Sequence, residues 1–242
     1  VIEFKNVSKR FGQKQVLNEL SFQVRRGEIL FLLGRSGVGK SVTLRHLVGL
    51  IRPDSGEIFV DGREITQLSE QEFLDVRRKC GMVFQFPALL DSLNVYENVA
   101  FGVRALKIRP PQEEREWVLE KLRLVHLPPS VANLMPAQLS FGMQKKVSLA
   151  RTLAIHPAYL LFDEPTTSLD PVATRVIHEL IHSLSRQLHV TSLVISHDME
   201  GALEYADRIL VIDKGQIVAG GTPAEMRDEK HPLVRDFLGG SA

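Results

Sequence analysis

The sequence predicts an α/β fold: a mostly parallel central sheet that carries an antiparallel β patch and is interrupted by a helical lobe. Three observations lead there. The runs ILFLL, YLLF and SLVIS lack the apolar–polar alternation of a half-exposed strand, so they read as strands covered on both faces. Strand and helix candidates alternate along the chain, the pattern of parallel strands joined by crossover helices. Residues from about 86 to 157 contain no convincing strand, which places a helical insertion between two sheet strands.

In chain order, the opening VIEFKNVSKRFG alternates like a strand, giving a first strand at 2–7. Further strands are expected at 20–24, 29–33, 57–60, 81–84, 159–162, 192–195, 209–213 and 216–219. The early alternating strands and the VDG and DKG turns supply the antiparallel patch. Helices are expected at 40–50, 70–77, 95–106, 111–124, 143–155, 171–188 and 199–205, with shorter ones at 224–228 and 233–238. The whole chain, 1–242, reads as one domain with a core formed by about 1–85 and 158–242 and the lobe formed by about 86–157.

The totals exclude several classes. Thirty Lys and Arg against 29 Asp and Glu leave a formal charge of +1. A generic nucleic-acid binder needs a basic face, so no nucleic-acid partner is expected. The single cysteine, Cys80, excludes an intrachain disulfide and reads as a small buried apolar residue. No signal peptide is recognisable, and no apolar run approaches the ~18 residues of a membrane span. Any role at a membrane therefore has to pass through a partner.

The chemistry is concentrated in two stretches. Gly34-Arg35-Ser36-Gly37-Val38-Gly39-Lys40-Ser41 follows the buried run ILFLL and precedes a helix, which is the context that the phosphate-loop pattern G-x-x-x-x-G-K-S requires. Gly34, Gly37 and Gly39 let the backbone curl so that its N–H groups face inward. The helix start adds positive potential. Lys40 can reach the β- and γ-phosphates, and the Ser41 hydroxyl can bind Mg²⁺. Gly34, Ser36, Gly37, Gly39, Lys40, Ser41 and Val42 are the expected nucleotide contacts. The second stretch, Tyr159-Leu160-Leu161-Phe162-Asp163-Glu164, is a buried strand ending in two carboxylates at the edge where ligands bind in such sheets. Asp163 can hold Mg²⁺ through water, and Glu164 can accept a proton from an attacking water. A P-loop NTPase is the fold these stretches imply.

With these residues in place, the chain resembles the nucleotide-binding subunit of ABC transporters along nearly its whole length. Gln85 in MVFQF matches the family's glutamine loop, LSFGM matches the signature LSGGQ, and YLLFDE matches Walker B. Ser168-Leu169-Asp170 matches the D-loop, His197 in VISHD the switch histidine, and Phe11 in KRFG the aromatic that stacks on adenine. The resemblance implies an ATPase working with ATP and Mg²⁺ as a head-to-tail homodimer, each ATP lying between the phosphate loop of one subunit and the signature helix of the other. It implies Lys40 on the phosphates, and Ser41, Gln85 and Asp163 on Mg²⁺. Glu164 would be general base, and His197 would hold the attacking water and the γ-phosphate. Ser140 and Gly142 would contact the partner's ATP, with Asp170 at the dimer seam. For Phe11, simple packing is the other reading.

Two features depart from that pattern. Phe141 stands where the family has glycine, and Met143 stands where it has glutamine. Ser140 is a good N-cap, and a helix starting there offers free N–H groups to a phosphate. Phe141 is expected to point towards the helical lobe or the partner; packing in the lobe core without a catalytic role is the alternative. The helix after SLD also contains His178-Glu179-Leu180-Ile181-His182, the H-E-x-x-H pattern of zinc peptidases. No downstream ligand pattern accompanies it, although Glu200 and Glu204 are candidates in principle, and Leu180, Ile181 and Leu184 give the helix a buried face.

Within the family, the chain most resembles the ATPase of Mla-type lipid transporters, which act with MCE-domain proteins. The residues are QFPALLDSLNVYENVAFGVR, LMPAQLSFGM and the ending HPLVRDFLGG. This implies separate permease subunits docking near 85–95, phospholipid cargo, and a peripheral position on the cytoplasmic face of the cell membrane. A polar-solute importer of the amino-acid type is the alternative. Soluble DNA-repair and translation ATPases of the family carry a long coiled-coil insertion or two cassettes, which this chain lacks.

Overall fold

The computed structural model describes residues 1–239. Gly240, the last residue of the ending HPLVRDFLGG, and the final two residues of the expected domain lie outside the described residues.

Two sheets organise the chain. The larger has six strands in the order β10-β9-β3-β8-β7-β6, with β3 (Ile29–Leu33), β6 (Cys80–Val83), β7 (Tyr159–Asp163), β8 (Thr191–Ser196), β9 (Arg208–Asp213) and β10 (Gln216–Gly221). Five of these run parallel, and β10 returns antiparallel to β9. The smaller sheet is antiparallel in the order β2-β1-β4-β5, from β1 (Ile2–Phe11), β2 (Lys14–Val24), β4 (Ser55–Val60) and β5 (Arg63–Glu64).

The unbroken apolar runs are explained by burial on both faces. Ile29, Phe31 and Leu33 of β3 join one apolar cluster, together with Leu160, Phe162 and Val194. Leu30 and Leu32 point the other way, into a second cluster with Leu161, Leu193 and Ile195. The first cluster continues into α3 (Val95–Ala105), α4 (Pro111–Leu124) and α5 (Phe141–Leu153), the three α-helices between β6 and β7. The second is covered by α1 (Lys40–Leu47), α2 (Glu70–Lys79) and the small sheet. The chain closes with α6 (Pro171–Gln187), α7 (Met199–Tyr205), α8 (Pro223–Asp228) and α9 (Pro232–Phe237).

Several boundaries differ from the sequence expectation. β1 (10 residues) and β2 (11 residues) extend well beyond the expected 2–7 and 20–24 because bulges interrupt their alternation: register shifts fall between Phe4 and Val7 and again near Lys9, and Asn6 and Glu19 take positive φ. A bulge moves the next side chain to the other face, which hides a strand from a period-two search. α1 ends at Leu47 rather than residue 50, since Gly49 takes φ 69° and closes the helix. α5 begins at Phe141, two residues earlier than expected, directly after its Ser140 cap.

Strand register positions the site. Leu33 of β3 lies opposite Ser196 of β8, and Asp163 of β7 lies opposite Ile195. The next residue on each strand is therefore Gly34, His197 and Glu164, and the three emerge side by side at the C-terminal edge of the sheet.

Candidate nucleotide site

The loop between β3 and α1 is shaped by its glycines. Gly39 has φ 108°, and a Cβ there would meet Leu17 at 2.7 Å and the Val16 carbonyl oxygen at 2.8 Å, so only glycine fits. Gly39 is also the N-cap of α1, and no side chain among the described residues caps that helix. Its first N–H groups are left for an anion, with the helix dipole adding to the attraction. Beside the loop is a cavity of about 660 Å³, within the ordinary range of small-molecule sites. Ser36, Gly37, Gly39, Lys40, Ser41 and Val42 line it, joined by Phe11, Gln85, Glu164 and His197. A second cavity, of about 680 Å³, lies at the opposite ends of the strands among Arg26, Lys121, His156 and His189, and holds none of the expected site residues.

Lys40 is only 5% exposed. Its ammonium donates to the carbonyl oxygens of Gly34 (2.6 Å) and Arg35 (3.1 Å) and lies 3.1 Å from Oε1 of Glu164. The other oxygen of Glu164, Oε2, is 2.8 Å from Nδ1 of His197. Glu164 therefore bridges a cation and an imidazole. Its backbone sits at φ 49°, a left-handed conformation that costs a non-glycine residue about 1–2 kcal/mol.

Asp163, 7% exposed, accepts a hydrogen bond from Ser41 Oγ at 2.7 Å. Burial raises its carboxyl above the usual carboxylate range, and the neighbouring charge of Glu164 adds to the rise, against the Ser41 hydrogen bond. Among the described residues, no Lys or Arg forms an ion pair with Asp163. A buried carboxylate beside a hydroxyl, with no organic counter-ion, is the donor set that suits a hard divalent cation such as Mg²⁺.

Other expected residues lie elsewhere. Ser140 caps α5, its hydroxyl accepting from the Met143 N–H at 3.3 Å, and is exposed. A Cβ on Gly142 would meet nothing within 4 Å. Asp170 caps α6, accepting from the N–H groups of Val172 and Ala173 at 2.9 Å each. None of the three lines the cavity beside Lys40. Phe11 is 46% exposed at the cavity mouth, with Lys9 Nζ 5.5 Å from its ring.

The ring of Phe141 lies 5.1 Å from the ammonium of Lys145, one turn on in the same helix. Lys145 escaped the sequence reading because a lysine on a helix normally reaches solvent. Here it is 5% exposed, and burial pushes its ammonium down to about 8. The H-E-x-x-H pattern is a packing feature. His178 is 1% exposed, stacks between Phe31 and Tyr205, and meets Asp198 Oδ2 through Nε2 at 3.1 Å, while Glu179 faces solvent. Among the described residues, no group of three or more His, Cys, Asp or Glu side chains is arranged to hold a metal ion.

Comparison with known proteins identifies the family. The ABC transporter family matches residues 17–167. The intermembrane phospholipid transport system ATP-binding protein MlaF of Haemophilus influenzae is 38% identical over 242 residues, covering 100% of this chain and 91% of that protein. The methionine import ATP-binding protein MetN of Mesorhizobium japonicum is 42% identical over 240 residues, 99% of this chain, which spans 65% of that protein's length. The dimeric post-hydrolysis state of the ATP-binding cassette MJ0796 bound to ADP and Pi superposes with a TM-score of 0.84 at 32% identity, over 92% of this chain and 99% of that one.

A glycine-rich loop feeding an uncapped helix, set against two carboxylates at the end of β7, a parallel strand separated from β3 by β8, defines a P-loop nucleoside triphosphatase. Within that class, the chain belongs to the ABC transporter family, whose cassettes bind and hydrolyse ATP with Mg²⁺.

Proposed function

We propose that this chain is the ATP-hydrolysing subunit of a membrane transporter, that two copies close head to tail around ATP, and that the cargo is phospholipid. The observation that carries the pairing is the division of the site. The loop, Lys40, Glu164 and His197 share one cavity, while Ser140 and Gly142 present an open, capped helix start on another part of the surface. An anion-binding helix start with nothing to bind in its own chain suits the terminal phosphate of an ATP held by a second copy.

Each group then has a task. The loop N–H groups and Lys40 hold the phosphate chain. Ser41, Asp163 and Gln85 would hold Mg²⁺, which supplies charge neutralisation on the phosphates. Glu164 accepts the proton of the attacking water. His197, held by Glu164 through Nδ1, fixes the direction of that carboxylate and turns its other edge towards the phosphate. Phe11 stacks on the base from the cavity mouth. Asp170, fixed as a helix cap, stands at the seam.

No helix among the described residues is long and apolar enough to cross a membrane. In this reading separate permease subunits complete the transporter and hold the chain at the cytoplasmic face. The exposed side chains of Phe84, Phe86 and Leu90, immediately around Gln85, offer those subunits an apolar docking surface. Phospholipid cargo is supported by the likeness to MlaF over the whole chain and by methionine after the signature glycine, and an MCE-domain partner is proposed as part of the same reading. Amino-acid import has a specific point in its favour, the 42% identity to MetN. Scattering by the Glu164→Gln variant with ATP and Mg²⁺ tests the pairing: a two-copy mass is expected, and a single-copy mass overturns it. Reconstitution with the co-purified permease separates the cargoes: lipid movement between vesicles is expected, and methionine uptake instead overturns the lipid reading.

A further inference from the structure

Lys145 is placed where a packing role alone does not need a charge. It projects from α5 into an apolar space lined by Val83, Phe84, Phe162, Ile177 and Ile181. No carboxylate among the described residues pairs with it. An ammonium has three N–H donors. One lies 2.8 Å from the carbonyl oxygen of Gln85 and another 2.7 Å from the carbonyl oxygen of Pro165. The remaining side of the cation faces the ring of Phe141, 5.1 Å away. A buried ion without a counter-ion is unfavourable, and an apolar side chain of similar size would be accommodated there at less cost. Among the described residues its hydrogen bonds go to main-chain carbonyls, and those carbonyls belong to particular places. Gln85 ends the turn out of β6 towards the helical segment, and Pro165 directly follows Glu164.

We propose that Lys145 is a positioning residue that ties the signature helix to the two loops carrying Gln85 and Glu164, so that engagement of ATP by Ser140 and Gly142 is felt at the same chain's own reacting groups. The inference rests on the paired-subunit reading, in which α5 grips the partner's nucleotide. Its mechanical basis lies within one chain. α5 is a rigid element, and the two hydrogen bonds join its second turn to both loops at once. A movement of the helix start therefore shifts both carbonyl groups and alters the aim of the Glu164 carboxylate. Phe141 has a matching role. Its ring replaces a glycine to close the open side of the ammonium, four residues away on the same helical face. The signature's departure at Phe141 and the buried lysine thus form one unit.

The test compares Lys145→Met and Lys145→Arg in the full chain, assembled with its permease where activity requires it. Steady-state hydrolysis gives kcat and KM for ATP, thermal melting gives Tm, and scattering of each variant in the Glu164→Gln background with ATP and Mg²⁺ gives pairing. Lys145→Met is expected to lower kcat about tenfold or more through misplacement of the reacting groups, with KM within about a factor of three. Its Tm should hold or rise, because methionine suits the apolar space. Lys145→Arg should restore most of kcat. An unchanged kcat in Lys145→Met overturns the inference. So does a parallel fall of kcat and Tm that arginine restores together, which would make Lys145 a folding contact. Pairing is read separately: if Glu164→Gln alone stays single with ATP, the paired-subunit reading fails. A kcat loss restored by arginine would then still show the tether within one chain.

Discussion

Oε2 of Glu164 and Nδ1 of His197 lie 2.8 Å apart, and the other oxygen of the same carboxylate lies 3.1 Å from Lys40. Glu164 is thus held from both sides while its backbone is strained. Such a group is positioned rather than free to rotate, as a base acting on one water must be. Glu164→Gln keeps the shape and removes the proton acceptor. Its ATP turnover should fall by about 10²-fold or more, with ATP binding retained. Phosphate release and nucleotide binding measured on the same preparation check this, and turnover at the parent rate would remove Glu164 from the base role.

Lys40 makes a different prediction. Its ammonium is satisfied by two loop carbonyls and Glu164, which hold it at the loop. Lys40→Ala removes a charged donor worth about 1.5–3 kcal/mol per hydrogen bond to phosphate. ATP affinity should weaken by about 10- to 100-fold, and fluorescence titration with a labelled nucleotide reads it. The loss should be smaller for a nucleoside without phosphates, because Lys40 lies on the loop side of the cavity.

Much of this site could be read along the chain because its chemistry is local in sequence. The loop 34–41 carries its own strand, turn and helix, and Asp163 and Glu164 end a strand that is apolar throughout. What could not be read depends on long-range placement. The tethers from Lys145 to Gln85 and Pro165 span 60 and 20 residues, and no local pattern distinguishes a lysine aimed at them from one in solvent. The extent of β1 and β2 was hidden by bulges, whose effect is to break the periodicity on which strand recognition rests. His178 and His182 show the converse limit, a local pattern whose meaning is set from outside it. The pattern places two histidines on one helical face, but whether that face meets a metal or a core depends on Phe31, Asp198 and Tyr205, all from other elements.

The Phe141 ring gives a stability prediction separable from catalysis. Leucine keeps much of the apolar contact and removes the ring face from the Lys145 ammonium. A cation–π contact at a partly desolvated site is worth about 0.5–2 kcal/mol. Phe141→Leu should therefore lose unfolding free energy by at least an amount in that range, read as a lower urea midpoint, and the loss should be smaller by that amount in the Lys145→Met background. A double-mutant cycle from urea unfolding measures the coupling directly.

The His178–Asp198 pair leads to a pH prediction. The hydrogen bond from His178 is the largest cause holding the Asp198 carboxyl below its ordinary value, ahead of the opposing effect of burial and the support of the Gly201 N–H. The folded state therefore binds this proton less tightly than the unfolded chain, where an aspartate titrates near ~3.9. Stability from this group is fully present above that value and is lost as pH falls through the lower folded value. Asp198→Asn keeps an acceptor for the Gly201 N–H, so α7 stays capped, but it has no proton to gain. Other carboxylates titrate in the same window, so the informative quantity is the difference between parent and variant. That difference should be constant from about pH 5 upward and shrink as the solution is made more acidic. Urea unfolding at a series of pH values reads it, and a difference that stays flat down to the acid limit would show that Asp198 is not held in its charged form by the buried histidine.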